Sequence, residues 1–495
     1  MLAWTIYSSL IGVGVLMALP VGNARAARQV ALACASLGLA LGLASALQFR
    51  PEAGTLEIVN TSWIPALGIQ YHLGADGISM TLVVLTGIAA VAGILFSWNI
   101  EHRAKEFFAF YLALIAGVYG VFLSLDAFLF FVFYELAIIP KYFLIAIWGS
   151  TRREYGAMKL ALYSFVGSAM VLVGLIAAYV ISGAHSFDLV ALAKVHFPEG
   201  FQYWAFPLVF VGFAILAGLW PFHTWAPTGH VAAPTAASML LAGVVMKLGA
   251  YGALRVAMSL FPQGLRAWQG EFVSLAVIGI VYGAMVALVQ KDFKFVIGYS
   301  SVSHMGFVLL GLVSLHEIGL SGAVLQMFSH GIIAGLLFAV VGRMVYDRTH
   351  TRELAVLQGM GLNQVMPFAA VTFIVASLAS MGLPGFSGFV AELSVLIGAW
   401  HAYPTAAVVA GIGVVIGVAY LLRVLQMAFF SDAPPRPTED TAHPMEPITV
   451  PERLGAMLLI GATLIIGLCP QLLLNLITPS WQGPLFDQLR KEAGF

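Results

Sequence analysis

The sequence predicts an all-α, polytopic membrane protein of about 14 transmembrane helices, built as two inverted five-helix repeats that each contain one broken helix. Three observations carry this prediction. Of the 495 residues, 60% are hydrophobic and 9% charged, with a mean hydropathy of +0.94, whereas soluble domains carry about 25% charged residues. Apolar runs matching the roughly 20 residues that cross a hydrocarbon core recur along the whole chain. Two of them are interrupted by proline and glycine, in LWPFHTWAPTGHVAAP and in SMGLPGFSG. Lipid cannot satisfy the N–H and C=O groups that such a break frees, so each break must be buried in protein or line a wet cavity.

Met1 to Pro20, followed by GNARAAR, mimics a signal peptide, but no Lys or Arg precedes its apolar run, and it reads as the first membrane helix. Further spans are expected near 28–48, 77–98, 107–123, 126–148, 160–182, 205–222, 234–258, 271–289, 295–313, 320–345, 365–400 (broken), 405–429 and 454–475. With both termini outward, fifteen of the 23 Lys and Arg fall inward and six, including Arg50 and Arg255, fall outward; Lys141 and Lys247 remain inside the membrane. That bias satisfies the positive-inside rule. Spans 107–258 and 271–430 each hold five helices and break the fourth. Five is odd, so the two units enter the membrane from opposite faces, as inverted repeats do. The chain 1–495 is therefore expected to be a single membrane domain, with one inward polar loop, 431–453, as an extended Pro- and Glu-rich connector.

A formal net charge of zero with no basic block gives no footprint for nucleic acid or for an acidic soluble partner. Cys34 and Cys469 stand alone in apolar stretches, so no metal or redox site is expected. Gly411, Gly413 and Gly417 sit inside an apolar run and follow no strand, which favours close helix packing over a dinucleotide fingerprint.

Few ionisable groups stand at membrane depth: Glu135, Lys141, Lys247, His304, His330 and Glu392. A lysine at mid-membrane costs roughly 2.5–3.5 kcal/mol on insertion scales, and buried carboxylates must be paired, wet or protonated. Glu135, Glu392 and Lys247 are thus candidate proton carriers, against the alternative of ion-pair glue between helices. An unperturbed imidazole titrates near neutrality, so His304 and His330 would need little adjustment to shuttle protons, against the alternative of satisfied packing histidines. Ser300, Ser301, Ser303, Gln326 and Ser329 give their helices a polar lining that water can follow. His223 and His230 flank the first break, where they either cap freed carbonyls or gate an entrance. Lys141 follows Glu135 by six positions, about 120° around an ideal helix, so it either swings back at Pro140 or snorkels to the surface.

These residues lie in motifs that resemble a known family: WIPALGIQYHLGADGIS, FYELAIIPKYFLIAIWG, PFHTW, APTAASMLLAGVVMKLGAYGALR, QKDFKFVIGYSSVSHMG, LQMFSHGIIAGLLF, HTREL and LPGFSGFVAEL, in that order. The chain resembles the antiporter-like subunits of proton-pumping NADH:quinone oxidoreductase, respiratory complex I, and among them the subunit M, or chain 4, type. The resemblance implies a proton relay along a central polar axis formed by Glu135, Lys247, His304, His330 and Glu392. It implies no cofactor in this chain, with FMN and iron–sulfur clusters in other subunits. The implied partners are sister antiporter-like subunits, the lipid bilayer and protons, in the bacterial cytoplasmic membrane. A glutamate at 392 and a short C-terminus favour type M over its sisters L and N.

Aligning PFHTW places Leu216 where the family carries a lysine, the usual partner of the glutamate at 135; Gly218 and Thr228 replace a proline and an aspartate. Glu135 is left without that partner unless Lys141 or a charge from an adjoining subunit reaches it. Two other readings compete with proton translocation in such a complex: a subunit of a multisubunit cation/proton antiporter, and a structural or assembly subunit that has lost translocation.

Overall fold

A computed structural model describes residues 1–20, 22–50, 54–431 and 445–494. Among them, twelve helices are long and apolar enough to cross a membrane. The two further spans expected from sequence are shorter. Ala3–Ala18 has 16 residues, and the broken span divides into Pro367–Ser380 and Ser387–Ala402, of 14 and 16 residues. At a rise of about 1.5 Å per residue, none of these crosses a core about 30 Å thick unaided. Of the expected connector 431–453, residues 432–444 lie outside the described residues.

Side-chain caps start several helices where the sequence changes from polar to apolar. Asp126 accepts from the N–H groups of Phe128 and Leu129 at 2.9 Å, and Asp292 and Asp76 cap Phe293–Val313 and Gly77–Phe96 in the same way. Each cap satisfies donors that the first helical turn leaves unpaired. The apolar middles of Thr235–Met258 and Glu317–Thr349 are wholly enclosed by other helices, whereas Ala24–Gln48 and Pro404–Phe429 turn most of their apolar surface outward. Ionisable groups in those two enclosed stretches are therefore cut off from lipid.

The first break follows Glu199–Ala217, which stops at Gly218 in the left-handed region (φ 86°), and is bridged by short turns to Trp225–Ala232. Its freed carbonyls find donors: Trp225 Nε1 bonds the Ile215 oxygen at 2.7 Å, and Ser238 Oγ bonds that of His230 at 2.8 Å. At the second break, Met381 to Phe386, the backbone closes on itself through Met381 N to the Ser377 oxygen at 2.8 Å and Leu383 N to the Leu378 oxygen at 3.1 Å. Three stretches wind as π-helix: Leu241–Val245, Ala253–Met258 and Ala339–Tyr346.

The all-α expectation has an exception: Leu56–Ile64 and Ile69–Ala75 form an antiparallel hairpin turned at Gly68. It docks on the helix ends through Gln70 N to Asp126 Oδ2 at 3.1 Å and His72 Nδ1 to Asp188 Oδ2 at 2.6 Å. Burial alone disfavours the charged form of His72, but the bond to Asp188 and the charges of Asp188, Glu57 and Asp126 prevail and raise its pKa. Four basic residues counted from sequence as loop or helix-end charges are buried instead: Arg255, Lys294, Arg343 and Arg348. Arg255 is 1% exposed and pairs with Asp76 beneath the hairpin; Lys294 is 2% exposed and donates to the Ala233 oxygen at 3.3 Å. Of the three packing glycines, Gly413 is the one whose added Cβ would collide with a neighbour, Ile280.

Glu452 anchors the helix Val450–Leu468 to the enclosed core: Arg343 Nε meets it at 2.5 Å, Arg348 Nη2 at 2.8 Å, and its carboxylate completes a capping box with Thr449. Removing one partner of a buried ion pair costs about 3–5 kcal/mol, because the other charge is left uncompensated. Glu452→Ala is therefore expected to lower the thermal midpoint of the detergent-solubilised protein and expose this helix to protease. An unchanged melting curve would show that the two arginines do not depend on it.

Candidate functional site

Lys247 lies on Met246–Gly252, between two of the π-helical turns. Such turns replace the regular ladder with a longer repeat, and here the Ala242 carbonyl accepts a short bond from the Lys247 ammonium. The second contact of Lys247 Nζ is His330 Nδ1 at 2.7 Å. An ammonium has only donors, so Nδ1 accepts and a neutral His330 carries its proton on Nε2. Glycines permit this closeness: a Cβ on Gly331 would stand 2.6 Å from the Gly243 carbonyl oxygen, so the two helices meet backbone to backbone beside the contact.

The His330 ring lies 5.4 Å, centroid to centroid, from that of His304, inclined by 30°. His304 Nδ1 meets Glu392 Oε1 at 2.9 Å and its Nε2 meets Ser380 Oγ at 3.1 Å. Gln326 Nε2 donates to the same carboxylate oxygen at 3.3 Å. Lys247, His330, His304 and Glu392, four residues singled out from sequence, thus form one buried series that crosses from the helix after the first break to the helix after the second. Of the expected polar lining, Gln326 touches this series directly. Ser300 bonds Tyr420 at 2.6 Å, Ser303 bonds the Ile280 carbonyl, and Ser329 joins Ser387 and Thr463 in a separate hydroxyl chain.

The other ionisable residues stand apart. Glu135 is half-buried on Ala127–Trp148 and forms no ion pair among the described residues, while Lys141, fully buried, donates to Ser164 Oγ at 3.2 Å. Pro140 therefore neither brings Lys141 into contact with Glu135 nor lets it snorkel. His223 packs edge-on to Tyr282 at 5.2 Å. His230 is fully buried beside Phe338, with neither ring nitrogen bonded to protein; both breaks have other donors at their carbonyls. Ser380 was not among the sequence candidates, and its only signal was a hydroxyl at the lip of SMGLPGFSG. No group of three His, Cys, Asp or Glu among the described residues is arranged to hold a metal ion.

The sequence profile described as "NADH:quinone oxidoreductase/Mrp antiporter, TM" matches residues 124–417, a stretch that contains both breaks and all four residues of the series. The chain belongs to this family. Within it, the chain is 37% identical over 470 residues to NADH-quinone oxidoreductase subunit M of Rhodobacter capsulatus, covering 92% of this chain and 90% of that relative. It is 41% identical over 392 residues to an NAD(P)H-quinone oxidoreductase chain 4 of Picosynechococcus, covering 77% and 71%. Among solved structures it superposes on a chain of respiratory complex I from Thermus thermophilus with a TM-score of 0.89, at 28% identity over the full length of both. A chain of the Mrp complex from Dietzia shares the fold, with a TM-score of 0.85 at 23% identity.

Proposed function

We propose that this chain is a proton-translocating membrane subunit of an NADH:quinone oxidoreductase-type complex. The observation that carries the reading is the series Lys247–His330–His304–Glu392, with close contacts of 2.7 Å and 2.9 Å at its two ends. Each member binds or releases a proton without a change in the covalent frame, and the histidines accept at one nitrogen while donating at the other. Electron transfer belongs elsewhere in the complex. Iron–sulfur clusters need sets of cysteine thiolates, and the two cysteines here, Cys34 and Cys469, are free and solitary; FMN and the clusters are assigned to other subunits. In this reading the partners are sister antiporter-like subunits and the lipids of a bacterial cytoplasmic membrane. Both termini face outward in this reading, and 107–258 and 271–430 are the inverted repeats, with Lys247 on the span that follows the first broken helix and Glu392 on the helix that follows the second break.

The family profile spans Mrp antiporters as well, so a cation/proton antiporter subunit is the second reading. Purification through an affinity tag on this chain separates the two. Co-purifying subunits that carry reducible flavin and iron–sulfur clusters, together with quinone reduction, are the expected result. A complex without redox groups that exchanges cations for protons would overturn it.

The two histidines are expected to act as intermediates. His304→Ala and His330→Ala should each slow proton transfer severalfold, since water partly fills the vacated space, and the double variant should lose more than either. Dye quenching in vesicles, normalised to quinone reduced, gives the comparison; undiminished pumping in the double variant would return both rings to packing.

A further inference from the structure

The series that ends on Glu392 leaves a second set of polar groups without a task. Lys141 is fully buried, has no carboxylate within ion-pair distance among the described residues, and rests on Ser164 Oγ at 3.2 Å. Glu135 has its Oε1 buried without a hydrogen-bond partner, and the hydroxyl facing its carboxyl is that of Ser168. Both serines project from Arg153–Ser182 four positions apart, so they share a face, about 6 Å from one another. One water, bonding at about 2.8 Å on each side, spans such a gap.

The hydrogen-bond state of each serine fits transfer. Ser164 accepts from Lys141 as it stands, and among the described residues its own proton has no protein acceptor, so the hydroxyl is free to turn and donate to a neutral Lys141 amine. Ser168 gives its proton to the Phe165 carbonyl at 3.2 Å, a bond it exchanges for the carboxyl by rotating its side chain. The flanking surface is apolar: Ile139, Phe143, Leu162 and Phe165 point outward, and Leu216 is buried. Among the described residues, Lys141 is the cation whose charge acts on the Glu135 carboxyl.

We propose that Glu135, Ser168, Ser164 and Lys141 form a second, hydroxyl-bridged proton-exchange couple. A proton leaves the Glu135 carboxyl, each hydroxyl or water on the way accepts one proton and releases another, and the neutral Lys141 amine becomes ammonium. The reverse passage restores acid and amine, so charge and protons balance at every step. The bridge takes the place of a direct ion pair. This inference rests on the translocation reading above and extends it to the first repeat.

The test uses the intact complex in vesicles, with dye quenching per quinone reduced as readout and native electrophoresis to confirm assembly. Ser164→Ala with Ser168→Ala should lower pumping roughly fivefold or more, the scale of a lost hydrogen bond at each step, and Lys141→Met should do the same. Ser164→Thr with Ser168→Thr should restore it, because the hydroxyls return. A packing role predicts the opposite order, with the smaller alanine tolerated and the extra methyl of threonine harmful. Parental pumping in the alanine pair, or threonine as defective as alanine, would overturn the couple; if the pair fails to assemble, the single alanine variants decide by the same criterion. Glu392→Gln serves as the control. If it blocks pumping while the serine variants pump normally, the couple alone falls; if it too pumps normally, the translocation reading falls with it.

Discussion

Lys247→Ala is expected to abolish net proton pumping while leaving the complex assembled. The substitution removes the group that joins the Ala242 carbonyl to His330 and leaves no ionisable atom in its place. General acid–base groups contribute roughly a hundredfold or more to the transfers they mediate, so translocation through this point should fall below detection. Lys247→Arg sharpens the test. A guanidinium keeps the charge but does not release its proton at any accessible pH. If Lys247 is a fixed counter-ion, arginine preserves function; if it exchanges protons, arginine fails as alanine does. Dye quenching in vesicles, compared with quinone reduction by the same preparation, distinguishes these outcomes, and full pumping by the arginine variant would remove Lys247 from the relay.

Glu392→Gln is expected to be as severe for a complementary reason. The amide has the shape of the carboxyl and still offers an oxygen to His304 and Gln326, whose contacts lie at 2.9 Å and 3.3 Å, so packing at the second break is retained. What is lost is the ability to take up and give back a proton. Glu392→Asp keeps that chemistry but draws the oxygen back by one methylene, and it should pump at an intermediate rate. Equal pumping by the glutamine variant and the parent would falsify the assignment of Glu392 as a carrier.

The helices and their ionisable occupants were legible because a bilayer penalises charge so heavily that Lys247 and Glu392 stand out against their neighbours. Partnership was less legible. The meeting of His330 with Lys247 depends on Gly243 and Gly331 letting two distant helices touch, and no periodicity within either helix reports that. The hairpin escaped notice because LEIVNTSWI mixes polar and apolar residues without strict alternation; its place is fixed by Asp126 and Asp188, which belong to later segments. Arg255 reads as an outward charge because nothing within its own helix reports that Asp76, far back in the chain, folds over it. Leu216 was visible as a departure from the family pattern, but the serine ladder beside Lys141 was not, since serines in apolar helices commonly bond their own backbone.

The π turn Leu241–Val245 makes residue spacing part of the chemistry. A π turn accommodates one residue more than the α turn it replaces, and each residue of an α-helix advances the rotation by about 100°. A chain shorter by one residue within LAGVV would therefore present the same lysine turned away from His330, with every ionisable side chain still present. In the proposed relay, competence for proton transfer is thus encoded in the phase of the helix as well as in its composition, through a stretch of five residues that carries no polar side-chain atom. Two proteins alike at Lys247, His304, His330 and Glu392 are equivalent only if they also agree in that count.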